Sequence, residues 1–372
     1  MGYRRLFGVF AAGVALVAVQ LPVSAGSTPK TLVIGVDHVD PANQQPQNGR
    51  LYEYTDFFTR AVTVHRGDTL DFRFAPQVFH ILAIAKSHEF AEHTQPVGRA
   101  DLDDPNSIAT GKPKIVVDQE VFFSGSGCGW KSPCNYSGGR AIPIAGPPQG
   151  SDWKVTINAP PGTYSYFCYI HPGMQGQVTV VAPTAPRTQQ RQINAASVVQ
   201  FQQDRAQAMA AEKAANHLRF TGTTRGERTF FVKVGLSAAG NHVAIDEMLP
   251  NRPLNLFPGD RVVYQWPLGN AHSVTFPPDA VQPFGPDRQE AEFILDPGNA
   301  RPGTVLRNNE TQIVDAGVRL GPDFELPTST SWSVRTTQAS TTPGTYHFNC
   351  NIHDWMQGTL NVGLNGGAAA PH

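Results

Sequence analysis

Residues 162 to 176, GTYSYFCYIHPGMQG, align without a gap with residues 344 to 358, GTYHFNCNIHDWMQG. No other feature restricts the fold as much, because self-similarity at this distance means one structural unit built twice. Two further matches support it. HRGDTLDFRFAPQVFH, ending at His80, pairs with FPGDRVVYQWPLGNAH, ending at His272, and in both the histidine lies twelve residues after the Asp of Gly-Asp. DWKVTIN at 152 to 158 pairs with SWSVRTT at 331 to 337, just ahead of each Gly-Thr-Tyr. The matched histidines are 192 residues apart and the matched cysteines 182, so the second copy is ten residues shorter between its matched segments. A chain of 372 residues gives each copy enough length to bury a core of its own.

Within the copies the local signals are those of strands. TLVIGV, AVTVH, TLDFRF, FHILAIA, KIVVD, DWKVTIN, GTYSYFC and GQVTVV are β-branched or aromatic runs separated by Gly, Pro, Asn and Asp. Short strands with no helical pattern between them predict an all-β chain of two antiparallel sandwiches. Between the copies the composition shifts to Ala, Gln, Glu and Lys, and residues 195 to 218 read as a helix by propensity. Its apolar face, Val198, Phe201 and Met209, is thin, which predicts light docking or a spacer. The expected organisation is a leader over 1–25, domains over 31–183 and 228–364, a partly helical linker over 184–227, and a disordered tail over 365–372.

The leader reading rests on Arg4 and Arg5, the apolar run LFGVFAAGVALVAVQL and the small-x-small Val23-Ser24-Ala25, which predict export to a periplasmic or secreted location with cleavage after Ala25. The run is short of the roughly 20 residues a spanning helix needs. No later segment is apolar enough to span, so the mature chain is expected to lack a transmembrane segment. With 29 Lys+Arg against 30 Asp+Glu there is no basic footprint for nucleic acid.

The chemistry is concentrated in the repeated loop. Cys168, His171 and Met174 stand at three-residue steps, as do Cys350, His353 and Met356, and the upstream strands add His80 and His272. One thiolate, two imidazoles and a weak thioether form the donor set of a blue-copper centre, where soft sulfur favours Cu(I) and the nitrogens suit Cu(II). The predicted ligand sets are His80, Cys168, His171 and Met174 in the first copy, and His272, Cys350, His353 and Met356 in the second. That implies copper as cofactor, two type 1 sites, and single-electron transfer with redox proteins as partners. Of the four cysteines this leaves Cys128 and Cys134, which in an exported chain are expected to close a disulfide.

The loop pattern G-T-Y-x-x-x-C-x-x-H-x-x-M-x-G, with its upstream Gly-Asp strand and histidine, resembles the cupredoxin family, in particular its plastocyanin-like and amicyanin-like blue-copper members. The resemblance covers about three quarters of the chain. It implies Greek-key β-sandwiches with copper near one end, and a ring edge of His171 and of His353 near the surface as the electron port. The departure is the 88 positions between His80 and Cys168 and the 78 between His272 and Cys350, far more than in single-domain relatives. Those insertions have the length to cover a port. Two-domain relatives also include copper nitrite reductases and small laccases. The laccase type needs His-x-His pairs, and none occurs here; a nitrite-reducing copper shared between subunits stays open, as does copper storage or delivery. His347, three residues before Cys350, is a candidate to orient that ligand.

Overall fold

The computed structural model describes residues 28–38, 40, 52–75, 79–85, 94–97, 114–118, 134–139, 152–168, 171, 173–267, 271–281, 292–295, 298–309, 311–321, 329–353 and 355–363. The leader, the tail and Cys128 lie outside them, and Cys134 is described only as strand backbone, so the leader, tail and disulfide expectations fall outside the described residues.

The first copy contributes β1 (Thr31–Val36), β2 (Tyr52–Glu53), β3 (Phe57–Phe58), β4 (Ala61–His65), β5 (Thr69–Phe74), β6 (Phe79–Ala85), β7 (Thr94–Val97), β8 (Lys114–Asp118), β9 (Cys134–Gly139), β10 (Asp152–Thr156), β11 (Gly162–Cys168) and β12 (Gln175–Val181). Helix α1 (Gln190–Ala215) follows. The second copy contributes β13 (Arg219–Thr221), β14 (Thr229–Ala238), β15 (Val243–Leu249), β16 (Leu254–Leu256), β17 (Arg261–Gln265), β18 (Thr275–Phe276), β19 (Glu292–Leu295), β20 (Thr304–Val305), β21 (Val314–Asp315), β22 (Ser331–Arg335), β23 (Gly344–Asn349) and β24 (Gln357–Val362).

Each copy is a Greek-key β-sandwich, and the two have the same strand order. The first pairs a sheet β10-β5-β1-β3 with a sheet β4-β12-β11-β6-β9. In the second, β22-β17-β14-β15 faces β16-β24-β23-β18-β21, and the first of these sheets is extended by β20 beside β22, by β13 on β14 and by β2 of the first copy beside β15. The alternation read from the sequence holds, as in β12, whose residues are exposed or half-buried and buried in turn. The sheets are mixed rather than purely antiparallel. β1 runs parallel to β5 and β4 to β12, because the chain visits the opposite sheet between them, and β14–β17 and β16–β24 repeat this.

The repeated Gly-Asp is structural. Asp260 is fully buried and accepts from the backbone N–H of Gly226, Arg228 and Phe257 at 2.9, 3.0 and 2.8 Å, with the Arg228 guanidinium at 2.6 Å. Asp68 plays the same part with the N–H of Lys30 and His65, both at 2.8 Å, and with Arg187. The repeated Tyr of Gly-Thr-Tyr also has a fixed task. The Tyr164 hydroxyl donates to the Pro160 carbonyl at 3.0 Å and that of Tyr346 to the Thr342 carbonyl at 2.7 Å, tying each strand to the turn before it.

Helix α1 begins five residues earlier than propensity predicts, since the Gln192 side chain accepts from the Gln189 N–H at 2.8 Å and caps it. Val198 and Met209 are exposed, contrary to the expected apolar face. The helix docks instead through Ile193, Asp204 and Ala208, with Phe201 stacked on His38 at 3.8 Å between centroids. Asp204 tolerates burial because Arg60 lies 3.0 Å away. Burial still pushes its pKa up to about 6, with Arg60 opposing and Asp56 adding to the rise.

The two copies are joined more closely than a spacer would allow. β2, from the first copy, adds to the edge of the second copy's β15 in register Tyr52↔Ile245 and Glu53↔Ala244. β8 and β19, one from each insertion, also pair. Tyr52, Tyr54 and Phe58 share a small core with Ala208 of the helix and with Ala238, Val243 and Ile245 of the second copy.

Candidate metal centres

Each repeated loop is closed by the same two backbone hydrogen bonds. Cys168 N–H donates to the Met174 carbonyl at 3.0 Å and Met174 N–H to that of His171 at 2.9 Å; for Cys350, Met356 and His353 the values are 2.9 and 2.8 Å. These bonds set the three-residue spacing, turning the three side chains toward one end of the sandwich. The glycine after each methionine is needed for space. A Cβ on Gly176 would lie 2.1 Å from the Tyr166 ring, and one on Gly358 2.1 Å from the Phe348 ring. Sequence reading found the motif, and packing supplies the reason for its last letter.

The upstream histidines arrive from β6, which carries His80, and from the chain just ahead of β18, where His272 bridges to Arg319. In the first copy His80 Nδ1 and His171 Nδ1 are 3.0 Å apart, with Cys168 Sγ at 3.9 and 3.3 Å from them. In the second, His272 Nδ1 and His353 Nδ1 are 3.0 Å apart, with Cys350 Sγ at 3.9 and 3.7 Å. Met174 and Met356 are fully buried, and neither Cys168 nor Cys350 is in a disulfide. The ligand atoms of His80, Cys168 and His171 thus lie within 4.8 Å of one another, as do those of His272, Cys350 and His353, and each loop carries its buried methionine beside them in the chain.

The other ring nitrogens explain why the Nδ1 atoms point inward. His80 Nε2 lies 3.3 Å from Asp37 Oδ2, His171 Nε2 3.3 Å from Glu53 Oε1, and His272 Nε2 3.5 Å from Asp246 Oδ1. A carboxylate beside Nε2 keeps the proton there, leaving the Nδ1 lone pair as an acceptor. Two such lone pairs facing each other at 3.0 Å beside a thiol repel unless a cation lies between them. Burial holds the pKa of His171 well below the ordinary histidine range, with charge on His80 and His353 adding to the depression, and burial followed by His353 does the same for His272. Neutral imidazoles are what metal binding requires. Burial pushes the Cys350 thiol up, opposed first by the Ser273 N–H, which donates to Sγ at 3.3 Å. Residues of this kind suit a soft, thiophilic ion such as copper.

Among the described residues, sequence reading missed the carboxylates. Asp37 is in the left-handed region at φ 63°, and Gly235, at the corresponding place in β14, has φ 74°. The first copy uses that position to reach His80. The second uses it for clearance, since a Cβ on Gly235 would lie 2.3 Å from His272 Nε2, and Asp246 serves the ring instead. Gly235→Ala is expected to displace His272 and lower copper affinity in the second copy by about 10–100-fold, as for loss of an outer partner of a metal-bound histidine. A copper titration in the Cys168→Ser background reads this directly; an unchanged affinity would contradict it.

Two expectations are corrected. His171 does not present an edge at the surface. It is 7% exposed, under Glu53, and Gly173 beside it abuts the second copy so closely that a Cβ there would be 2.4 Å from the Asn241 carbonyl. His353 is half-buried, with Trp355 packed on it at 5.3 Å. His347 does not orient Cys350: it faces solvent on the alternate side of β23, with Nδ1 3.3 Å from the Thr359 hydroxyl.

Two Greek-key sandwiches, each bringing an upstream histidine beside the Cys and His of its repeated loop, give this chain a tandem cupredoxin-like fold. Among solved structures it is similar to a dithionite-reduced auracyanin from Roseiflexus castenholzii, at 21% identity and TM-score 0.21, covering 41% of this chain and 97% of that one. It is also similar to a copper-containing nitrite reductase from Thermus scotoductus, at 14% and 0.22, covering 90% and 68%. A multicopper oxidase matches at 11% and 0.20, covering 91% and 88%. No protein-family model and no curated protein matches.

Proposed function

We propose that this chain is an exported copper-binding electron carrier with one type 1 centre in each of its domains, 31–183 and 228–364. His80, Cys168, His171 and Met174 would hold one copper, and His272, Cys350, His353 and Met356 the other. The observation that carries the reading is the twice-repeated pair of Nδ1 atoms 3.0 Å apart beside a cysteine sulfur. When bound, copper supplies reversible one-electron chemistry between Cu(I) and Cu(II). The chain's own part is to hold the donors in one buried arrangement, which excludes water and limits rearrangement when the charge changes. Its partners are then redox proteins. Among the described residues no helix is long and apolar enough to cross a membrane.

A competing reading, a copper oxidoreductase, draws on Glu53, Asp246 and His353, whose ligand atoms lie within 4.8 Å of one another and offer a place for an added metal. Repeated reduction and reoxidation under dialysis separates the classes. A carrier keeps its copper through the cycles and shows no turnover of nitrite or phenols. Copper loss on reduction would favour storage or delivery, and sustained turnover would favour an enzyme.

A further inference from the structure

The two candidate centres face each other across a single side chain. Glu53 Oε1 lies 3.3 Å from His171 Nε2 of the first copy. A carboxylate oxygen of the same residue lies within 4.8 Å of a ring nitrogen of His353 and of a carboxylate oxygen of Asp246, both in the second copy. It also comes within 4.8 Å of His80 and Asp37. Glu53 is held there by the β2–β15 ladder that joins the copies. Its neighbour Tyr52 is fastened by a hydrogen bond from its hydroxyl to Glu212 on the helix.

Exposure is unequal on the two sides. His80, Cys168 and Met174 are fully buried and His171 is 7% exposed, whereas His353 and Trp355 are half-buried at the edge of the second centre. Burying carboxylates in such a place is unfavourable before any compensation, so a packed apolar junction would hold the copies together at lower cost.

Building on the electron-carrier reading, we infer that Glu53 is the positioning residue that couples the two ligand sets, so that electrons pass between the halves along His171, Glu53 and His353. External proteins exchange with the chain at the His353–Trp355 edge. With copper held by both ligand sets, the internal step would oxidise Cu(I) in one to Cu(II) and reduce Cu(II) in the other to Cu(I). One electron moves, and no further oxidant, reductant or proton is consumed.

The test compares wild type with Glu53→Gln and Glu53→Ala, first confirming in each that both coppers and both visible bands are present. Loss of the bands in wild type would refute the carrier reading itself. With the bands present, internal exchange in half-reduced protein is expected to be independent of protein concentration. It should slow at least about tenfold in Glu53→Ala, the scale on which outer partners of metal-bound histidines act, and stay near wild type in Glu53→Gln, whose amide oxygen still accepts from His171. Equal rates in all three would overturn the inference.

Two further readouts do not depend on that rate. In copper-free protein, the hydrogen-bonded Nε2 proton of His171 should be visible by NMR in wild type and Glu53→Gln and vanish in Glu53→Ala; its absence from wild type would overturn the inference. In Cys350→Ser, reduction of the first centre by a protein-sized donor should fall at least about tenfold, and an unchanged rate would show that the first centre has its own way out.

Discussion

Asp260→Ala is expected to destabilise the second domain by about 3–5 kcal/mol, the cost of breaking a buried charged pair by removing one partner. Asp260 is fully buried and satisfies three backbone N–H groups, those of Gly226, Arg228 and Phe257, besides the Arg228 guanidinium. Alanine leaves all of them without their acceptor, and each orphaned buried donor carries a penalty of about 1–3 kcal/mol, reduced where water reaches it. A fall of this size should lower the domain's melting temperature by about 10 °C or more. Thermal unfolding followed by calorimetry measures it. A drop of less than about 1 kcal/mol would mean that the carboxylate does not organise the turn. Asp68 receives the same kinds of donors in the first copy, so Asp68→Ala should weaken that domain in parallel.

Cys350→Ser and Cys168→Ser should each abolish one thiolate-to-copper band and spare the other. The ligand sets do not mix: each Cys lies within 3.9 Å of two Nδ1 atoms, and both come from its own copy. Serine cannot supply a soft, readily ionised sulfur, so the affected half loses its colour even where the histidines retain some metal. The visible absorbance of each single variant should be about half that of wild type, and the double variant should be colourless. If either single change erased the whole band, the centres would not be independent, and a copper shared between the copies would replace the present assignment.

Much of this molecule is legible in its sequence because the duplication shows which residues recur. TLVIGV, AVTVH, TLDFRF, FHILAIA and KIVVD coincide with observed strands, and DWKVTIN overruns its strand by two residues. The donors were legible because Cys, His and Met at fixed steps have few other reasons to recur. The short strands Tyr52–Glu53 and Phe57–Phe58 were not, since two residues carry no periodicity. With them went Glu53, whose importance depends on pairing with β15, nearly two hundred residues away in the chain. Asp37 and Gly235 stand at corresponding places yet look unrelated as letters; only their shared positive φ and their separate relations to a histidine reveal the equivalence. Burial of His171 goes unread with Glu53, because the residue that covers its ring is placed by the pairing with β15, and Gly173 beside it abuts Asn241 of the second copy.

If each copy binds one copper through its own thiolate, electron paramagnetic resonance of the oxidised, copper-loaded protein, with spins counted per chain, reads it out. Two spins per chain are expected, both with the narrow hyperfine splitting of copper bound to a cysteine sulfur, and both silent after reduction. A spectrum showing only the wide splitting of copper held by nitrogen and oxygen, or no bound copper at all, would contradict it.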